Sequence, residues 1–352
     1  PFIKWILRQI KTIPIFRARD GFSNLRSNQN TFNHLYELLN KGKNILILAE
    51  GETKHEKRLR PIQKGTARMV TGLYEIYPEA KVCVLPIGVN YTAANEIRSE
   101  LMADVGTPIY LEDYKEVYAE NPRKAVKLMT DEISNQLKAR VIHVKEDEDA
   151  PFVDRLLDFR RNDRNKILMP FVSDSTVALE EEMKIVDQVN AMEAEDKLQL
   201  RKKVEQYDAF LNKHQLKDVG LARPGFFSFV NSITLLLGIP TLVLGMINNW
   251  IPFTLGKKVA DAKVKKPSFY GSVRFAVALL SYLLLFVVAF TVLLIVAPWW
   301  CLAGIFIMPV AGYLSLVYQD LFVRWRSAFK WRGVAAADKA EMWRLRADVL
   351  KL

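Results

Sequence analysis

The chain has 352 residues, half of them hydrophobic, and its 50 basic and 39 acidic side chains give a formal charge of +11. That length accommodates one ordinary globular core with apolar sequence left over. The positive charge comes without zinc-finger spacing, a helix-turn-helix or an RNA-recognition aromatic pattern, which excludes nucleic acid as the expected partner.

In chain order, Phe2–Lys11 reads as an amphipathic helix, Ile13–Phe16 as a short strand, Thr31–Asn40 as a helix and Asn44–Ala49 as a buried strand. Pro61–Tyr77 is helical in pattern, Lys81–Val89 and Ala103–Tyr110 read as strands, and Arg123–Ala139 as an amphipathic helix. Such alternation predicts an α/β domain, a mixed sheet with flanking helices, over residues 1–150. The acidic run Glu146-Asp147-Glu148-Asp149 marks its end. Residues 151–222 read as a helical amphipathic segment. Within it Leu200, Val204, Tyr207 and Leu211 form a stripe at helical spacing that is read as core packing.

The apolar excess lies near the carboxyl end, where Phe226–Leu255 and Phe275–Gln319 hold 30 and 45 residues without a charge. At about 1.5 Å per residue the second run can cross a hydrocarbon core of roughly 30 Å twice. Pro298-Trp299-Trp300 divides it, predicting a transmembrane hairpin of 275–297 and 301–317. The first run, 226–255, is expected to be a re-entrant hairpin broken at Pro240, the alternative being one tilted span. The loop Gly256–Lys266 carries five lysines and one aspartate, and the tail 324–352 carries eight basic and three acidic residues. Basic flanks stay cytoplasmic, so both are expected on the side of the amino-terminal domain, with anionic membrane lipid as a partner.

Three segments carry chemistry. Ile45–Arg68, ILILAEGETKHEKRLRPIQKGTAR, delivers Glu50-Gly51 from an apolar run into a basic loop before a helix resumes at Lys64-Gly65. Ligands bind beyond the carboxyl ends of strands in such sheets. Upstream is IPIFRARD, Ile13–Asp20, and downstream VLPIGV, Val84–Val89. Taken in chain order, Ile13–Asp20, Ile45–Arg68 and Val84–Val89 resemble the second, third and fourth sequence blocks of the glycerolipid acyltransferases, most nearly the fungal glycerol-3-phosphate and dihydroxyacetone-phosphate acyltransferases. The resemblance covers roughly Pro1 to Val144.

The family's first block, H-x4-D, has no match. Five positions after His34, His55, His143 and His214 stand Leu39, Arg60, Glu148 and Val219. The resemblance therefore implies a catalytic histidine and aspartate upstream of Pro1, an inactive homologue being the alternative. In that chemistry an imidazole takes the proton of a glycerol hydroxyl as it attacks an acyl thioester, and the aspartate fixes the imidazole's tautomer.

For the remaining blocks the resemblance implies a substrate-binding set. Arg17 would bind phosphate through its forked, permanently charged guanidinium. Glu50 would orient glycerol hydroxyls, and Gly51 would let backbone approach the substrate. Thr53 and Lys54 follow the pair in an uncertain register, Lys54 as a second phosphate contact with Lys64 as its alternative, and Pro86 would shape the pocket wall. The expected activity is transfer of a fatty acyl group to glycerol 3-phosphate or 1-acylglycerol 3-phosphate in phospholipid biosynthesis. The donor would be acyl-CoA or acyl carrier protein. No P-loop, dinucleotide fingerprint or metal-ligand cluster occurs, so neither a metal nor a cofactor is expected.

Two other functions compete. A non-catalytic lipid-binding scaffold would follow from a natural lack of the dyad, and a transporter is argued against by few spans without intramembrane charge. His143, between Ile142 and Val144, reads as a strand-end histidine, and Asn90-Tyr91-Thr92 as an unused glycosylation acceptor. Cys83 and Cys301 are read as unbridged, buried apolar residues.

Overall fold

A computed structural model of the chain describes residues 22–51, 54, 56–96, 99–164, 172–296 and 301–351, together with 9, 11–13 and 15. The helix expected over Phe2–Lys11, the strand over Ile13–Phe16 and the dividing Pro298-Trp299-Trp300 lie largely outside the described residues. Packing separates the chain into two units: Pro1–Thr53, Leu59–Asn90 and Ala103–Val141 form the first, and Lys54–Arg58, Tyr91–Met102 and Ile142–Leu352 the second.

The first unit is built on helices α1 (Phe22–Asn40) and α2 (Gly65–Ile76). Leu35 and Tyr36 of α1 meet Met69 and Leu73 of α2 in one cluster. The approach is close because Gly72 has no side chain; a Cβ there would lie 2.5 Å from the Tyr36 hydroxyl. The other face of α2, Ala67 and Val70, packs with Ile109, Leu111, Met129 and Ile133. Met129 and Ile133 come from α4 (Pro122–Lys138), which follows the short α3 (Lys115–Glu120). Asn121 caps α4, its side chain accepting from Lys124 N at 3.1 Å, and Pro122 fills the first turn where no N–H is needed.

The mixed sheet predicted for this region is replaced by a mostly helical arrangement with two small strand pairs. Lys81–Val89 divides at Leu85-Pro86 into β1 (Cys83–Val84) and β2 (Ile87–Tyr91), and Ala103–Tyr110 divides into β3 (Leu101–Val105) and β4 (Ile109–Tyr110). β1 pairs antiparallel with β4, Cys83 opposite Tyr110, and β2 pairs with β3. Pro86 and Pro108 cannot donate to a ladder, which confines continuous pairing to either side of them. Asn44–Leu48 has no regular secondary structure, Ala49 lies in a turn, and the segment belongs to neither sheet. Ile45 and Ile47 pack inward, while Leu46 and Leu48 are 87% and 77% exposed. Its alternation is that of a half-covered segment, and a strand needs a neighbouring backbone as well as a pattern. Cys83 is in a strand as expected, but exposed rather than buried.

The second unit has a helical core from α5 (Ala150–Asp163), α6 (Val177–Ala191), α7 (Ala194–Lys213), α8 (Asp218–Ala222) and α12 (Ala336–Val349). Leu200, Val204, Tyr207 and Leu211 are all buried in it, as their spacing predicts. Tyr207 meets Phe159 edge-on at 5.0 Å between centroids. Buried carboxylates are paired: Glu182 with Arg161 at 2.6 Å and Arg164 at 3.1 Å, Asp149 with Lys197 at 2.8 Å and Arg201 at 2.7 Å.

Between α8 and α12 run α9 (Phe229–Lys263), α10 (Tyr270–Val296) and α11 (Cys301–Arg332), three helices long and apolar enough to cross a membrane. α9 continues unbroken through Pro240 and Pro252, so the turn expected at Pro240 is absent. In an apolar stretch that cannot hydrogen-bond to water, backbone satisfies itself best by staying helical around proline. α9 and α11 run antiparallel at close range. Trp325 Nε1 donates to Ser232 Oγ at 2.9 Å, and a Cβ on Gly245 would lie 2.3 Å from the Ala311 carbonyl oxygen. Small residues at the seam are what allows such an approach. Outward residues such as Leu236, Leu237 and Ile247 are exposed, as lipid-facing side chains are.

Candidate functional site at the start of α2

Leu48–Gly51 closes a tight turn in which Gly51 N donates to the Leu48 carbonyl at 3.1 Å. Gly51 sits at φ +70°, where a side chain is strained, and a Cβ there would approach Gln63 Cγ to 3.3 Å. Glu50 is half-buried beside it. Gln63 N donates to the Ala49 carbonyl at 2.9 Å, which ties the turn to the residue preceding Lys64. Three of the expected residues, Glu50, Gly51 and Lys64, are thus brought together by one backbone bond.

Lys64 is the N-cap of α2, exposed, with no side-chain capping bond. The first intrahelical bond is Arg68 N to the Lys64 carbonyl at 2.9 Å, which leaves the amides of the first turn without helical acceptors. Aligned peptide dipoles give such an end roughly half a positive charge. Thr66 lies in this turn, 8% exposed, and among the described residues its Oγ1 has no hydrogen-bond partner. Unpaired amides, a buried hydroxyl and a lysine at a helix start form an anion-binding arrangement. At the far end of α2, Glu75 accepts from the Tyr118 hydroxyl, and burial together with that bond pushes Tyr118 up to about 12.

The other expected residues are placed differently. Arg17 and Thr53 lie outside the described residues. Lys54 is grouped with the second unit and pairs with Glu56 at 3.7 Å. Pro86 is buried, its carbonyl accepting from Gly106 N at 2.8 Å. Beyond it, Gly88 allows contact with the Arg140 backbone, and Asn90 Nδ2, 6% exposed as a residue, donates to the Arg140 carbonyl at 3.0 Å. That bond occupies the nitrogen a glycan would need. Sequence reasoning missed Thr66, although the signal was present: a hydroxyl residue directly after Lys-Gly where the helical period begins.

Residues 1–90 match the family model described as Acyltransferase. More particularly, the chain is similar to glycerol-3-phosphate O-acyltransferase 2 of Saccharomyces cerevisiae, 32% identical over 143 residues, which are 40% of this chain and 18% of that protein. It is also similar to glycerol-3-phosphate O-acyltransferase 1 of the same yeast, 25% identical over 248 residues, 66% of this chain and 32% of that protein. An uncharacterized acyltransferase of Schizosaccharomyces pombe is 28% identical over 108 residues, 30% of this chain and 16% of that protein. The chain thus spans a third or less of the length of the curated relatives it matches. No solved structure matches it.

Proposed function

We propose that this chain is part of a membrane-bound O-acyltransferase that moves a fatty acyl group from an acyl thioester to glycerol 3-phosphate or 1-acylglycerol 3-phosphate. The start of α2 holds the acceptor phosphate through its free amides, Thr66 and Lys64. Glu50 then accepts from a glycerol hydroxyl, and Arg17, by resemblance, is a second phosphate ligand. One observation carries this reading: the Glu50-Gly51 turn is tied, by the bond from Gln63 N to the Ala49 carbonyl, to a helix N-terminus whose Thr66 hydroxyl is buried without a hydrogen-bond partner among the described residues.

The bilayer reading has its own support. Leu221, ahead of α9, and Trp331, at the end of α11, belong to one hydrophobic cluster. Both flanks therefore lie on one side, and an even number of the three apolar helices crosses. The basic tail favours the cytoplasmic side for both flanks.

The test is glycerol 3-phosphate binding to the chain in detergent by calorimetry. Lys64→Ala and Thr66→Val are each expected to weaken it, by roughly 10-fold or more for the charged contact. Glycerol without phosphate should not bind. Equal binding by parent and both variants would refute the phosphate site.

A further inference from the structure

Where α9 and α10 meet, the chain builds a second basic site. Gly256 lets the helices touch: a Cβ there would lie 2.7 Å from the Arg274 carbonyl oxygen and 3.1 Å from Ala278 Cβ. The contact opens a cleft of about 490 Å³ lined by Phe253, Thr254, Lys257, Lys258, Asp261 and Arg274. That volume is within the usual range of small-ligand sites, roughly 300–1,000 Å³. Three cations face one carboxylate, and Asp261 Oδ1 already accepts from the Tyr270 hydroxyl at 2.7 Å.

The depth of the cleft is set by the sequence of both helices. Lys257 is the first charge after the charge-free run Phe226–Leu255, and Arg274 is the last before Phe275–Gln319. The cations therefore stand where two apolar stretches end together, at the level of lipid headgroups. Apolar surface continues away from the cleft on both helices: Trp250, Ile251 and Leu255 on α9 and Phe275 and Leu279 on α10 are exposed.

We propose that this cleft binds the phosphate of an anionic membrane phospholipid, whose acyl chains lie along the exposed faces of α9 and α10. Charge complementarity selects a phosphate: Lys257, Lys258 and Arg274 supply cationic donors and Thr254 a hydroxyl. The apolar continuation selects a lipid over a free anion. Arg274, half-buried and forked, is the anchor, and the exposed lysines close over the headgroup. The site is separate from the start of α2, so it stands or falls independently of the acceptor reading.

The experiment uses the full chain in phosphatidylcholine nanodiscs doped with a photoactivatable phosphatidic acid, with adducts mapped by peptide mass spectrometry. Adducts are expected on the segments around Trp250–Lys258 and Arg274–Leu279. Combined Lys257→Gln, Lys258→Gln and Arg274→Gln should cut their yield at least about 10-fold, near-surface charges being worth that or more together. Lys257→Arg with Lys258→Arg should keep it. Asp261→Asn should raise it severalfold, a gain that misfolding does not produce. A photoactivatable phosphatidylcholine labelling these segments equally would overturn the proposal. So would unchanged yield in the neutralised variant, or complete displacement of the lipid probe by inorganic phosphate.

Discussion

Arg346 and Asp218 form a buried ion pair, Nε to Oδ1 at 2.8 Å, that joins α12 to the short α8 just ahead of the three long apolar helices. The two residues are 7% and 5% exposed. Asp218 also accepts from the Tyr207 hydroxyl at 2.6 Å and from Asn162 Nδ2 at 2.9 Å, while Arg346 reaches Asp163 at 2.6 Å. Both carboxylate oxygens of Asp218 and the Nε and Nη2 of Arg346 are engaged, which is the condition under which buried charge is tolerated.

Arg346→Ala leaves Asp218 and Asp163 without their cation. Breaking a buried pair from one side typically costs about 3–5 kcal/mol. The expected result is a large loss of stability of the helical core, read as a lower midpoint in denaturant-monitored unfolding. A change below about 0.5 kcal/mol would show that the pair contributes nothing.

Tyr207 makes the same network sensitive to alkali. Burial and the neighbouring Asp218 carboxylate hold its hydroxyl far above the ordinary value of 10.0. Above about pH 10 the unfolded chain loses this proton while the folded chain keeps it, so stability falls as pH rises. Below that value its contribution is complete. Tyr207→Phe should cost about 1 kcal/mol at neutral pH and give a shallower decline above pH 10. An unchanged slope would remove Tyr207 from the account.

Single cysteines at Lys202 and Lys339, with Cys83 and Cys301 replaced, should react with an impermeant thiol reagent from the same face of sealed vesicles of known orientation. Their helices share one core, so reaction from opposite faces would contradict the fold.

The 352-residue chain is expected to show no acyltransferase turnover above background, because none of its four histidines has an aspartate at the family spacing. Loss of a general base costs about 10²- to 10⁴-fold. Turnover that disappears in His55→Ala or His143→Ala would relocate the catalytic centre.

What was legible in the sequence was local. The stripe Leu200–Val204–Tyr207–Leu211, the amphipathic helix over Arg123–Ala139 and the charge-free runs were read from spacing alone, because a helix satisfies its own backbone and needs only one apolar face. The resumption of a helical pattern at Lys64-Gly65 was legible for the same reason. Asn44–Ala49 was not: its alternation matches a strand, but the backbone partner that makes one is supplied from elsewhere.

The sequence by itself determined that this chain carries an acyltransferase-type block followed by apolar helices with basic flanks, since motif spacing and uncharged length are properties of the chain alone. Only the tertiary structure decided that α9 passes straight through Pro240, that Thr66 is buried without a hydrogen-bond partner among the described residues, and that Lys257, Lys258 and Arg274 share a cleft. Each of these depends on which distant residues come within contact range: Ala311 against Gly245, Gln63 against Ala49, Arg274 against Gly256. Burial and pairing are set by such neighbours, and no local pattern encodes them.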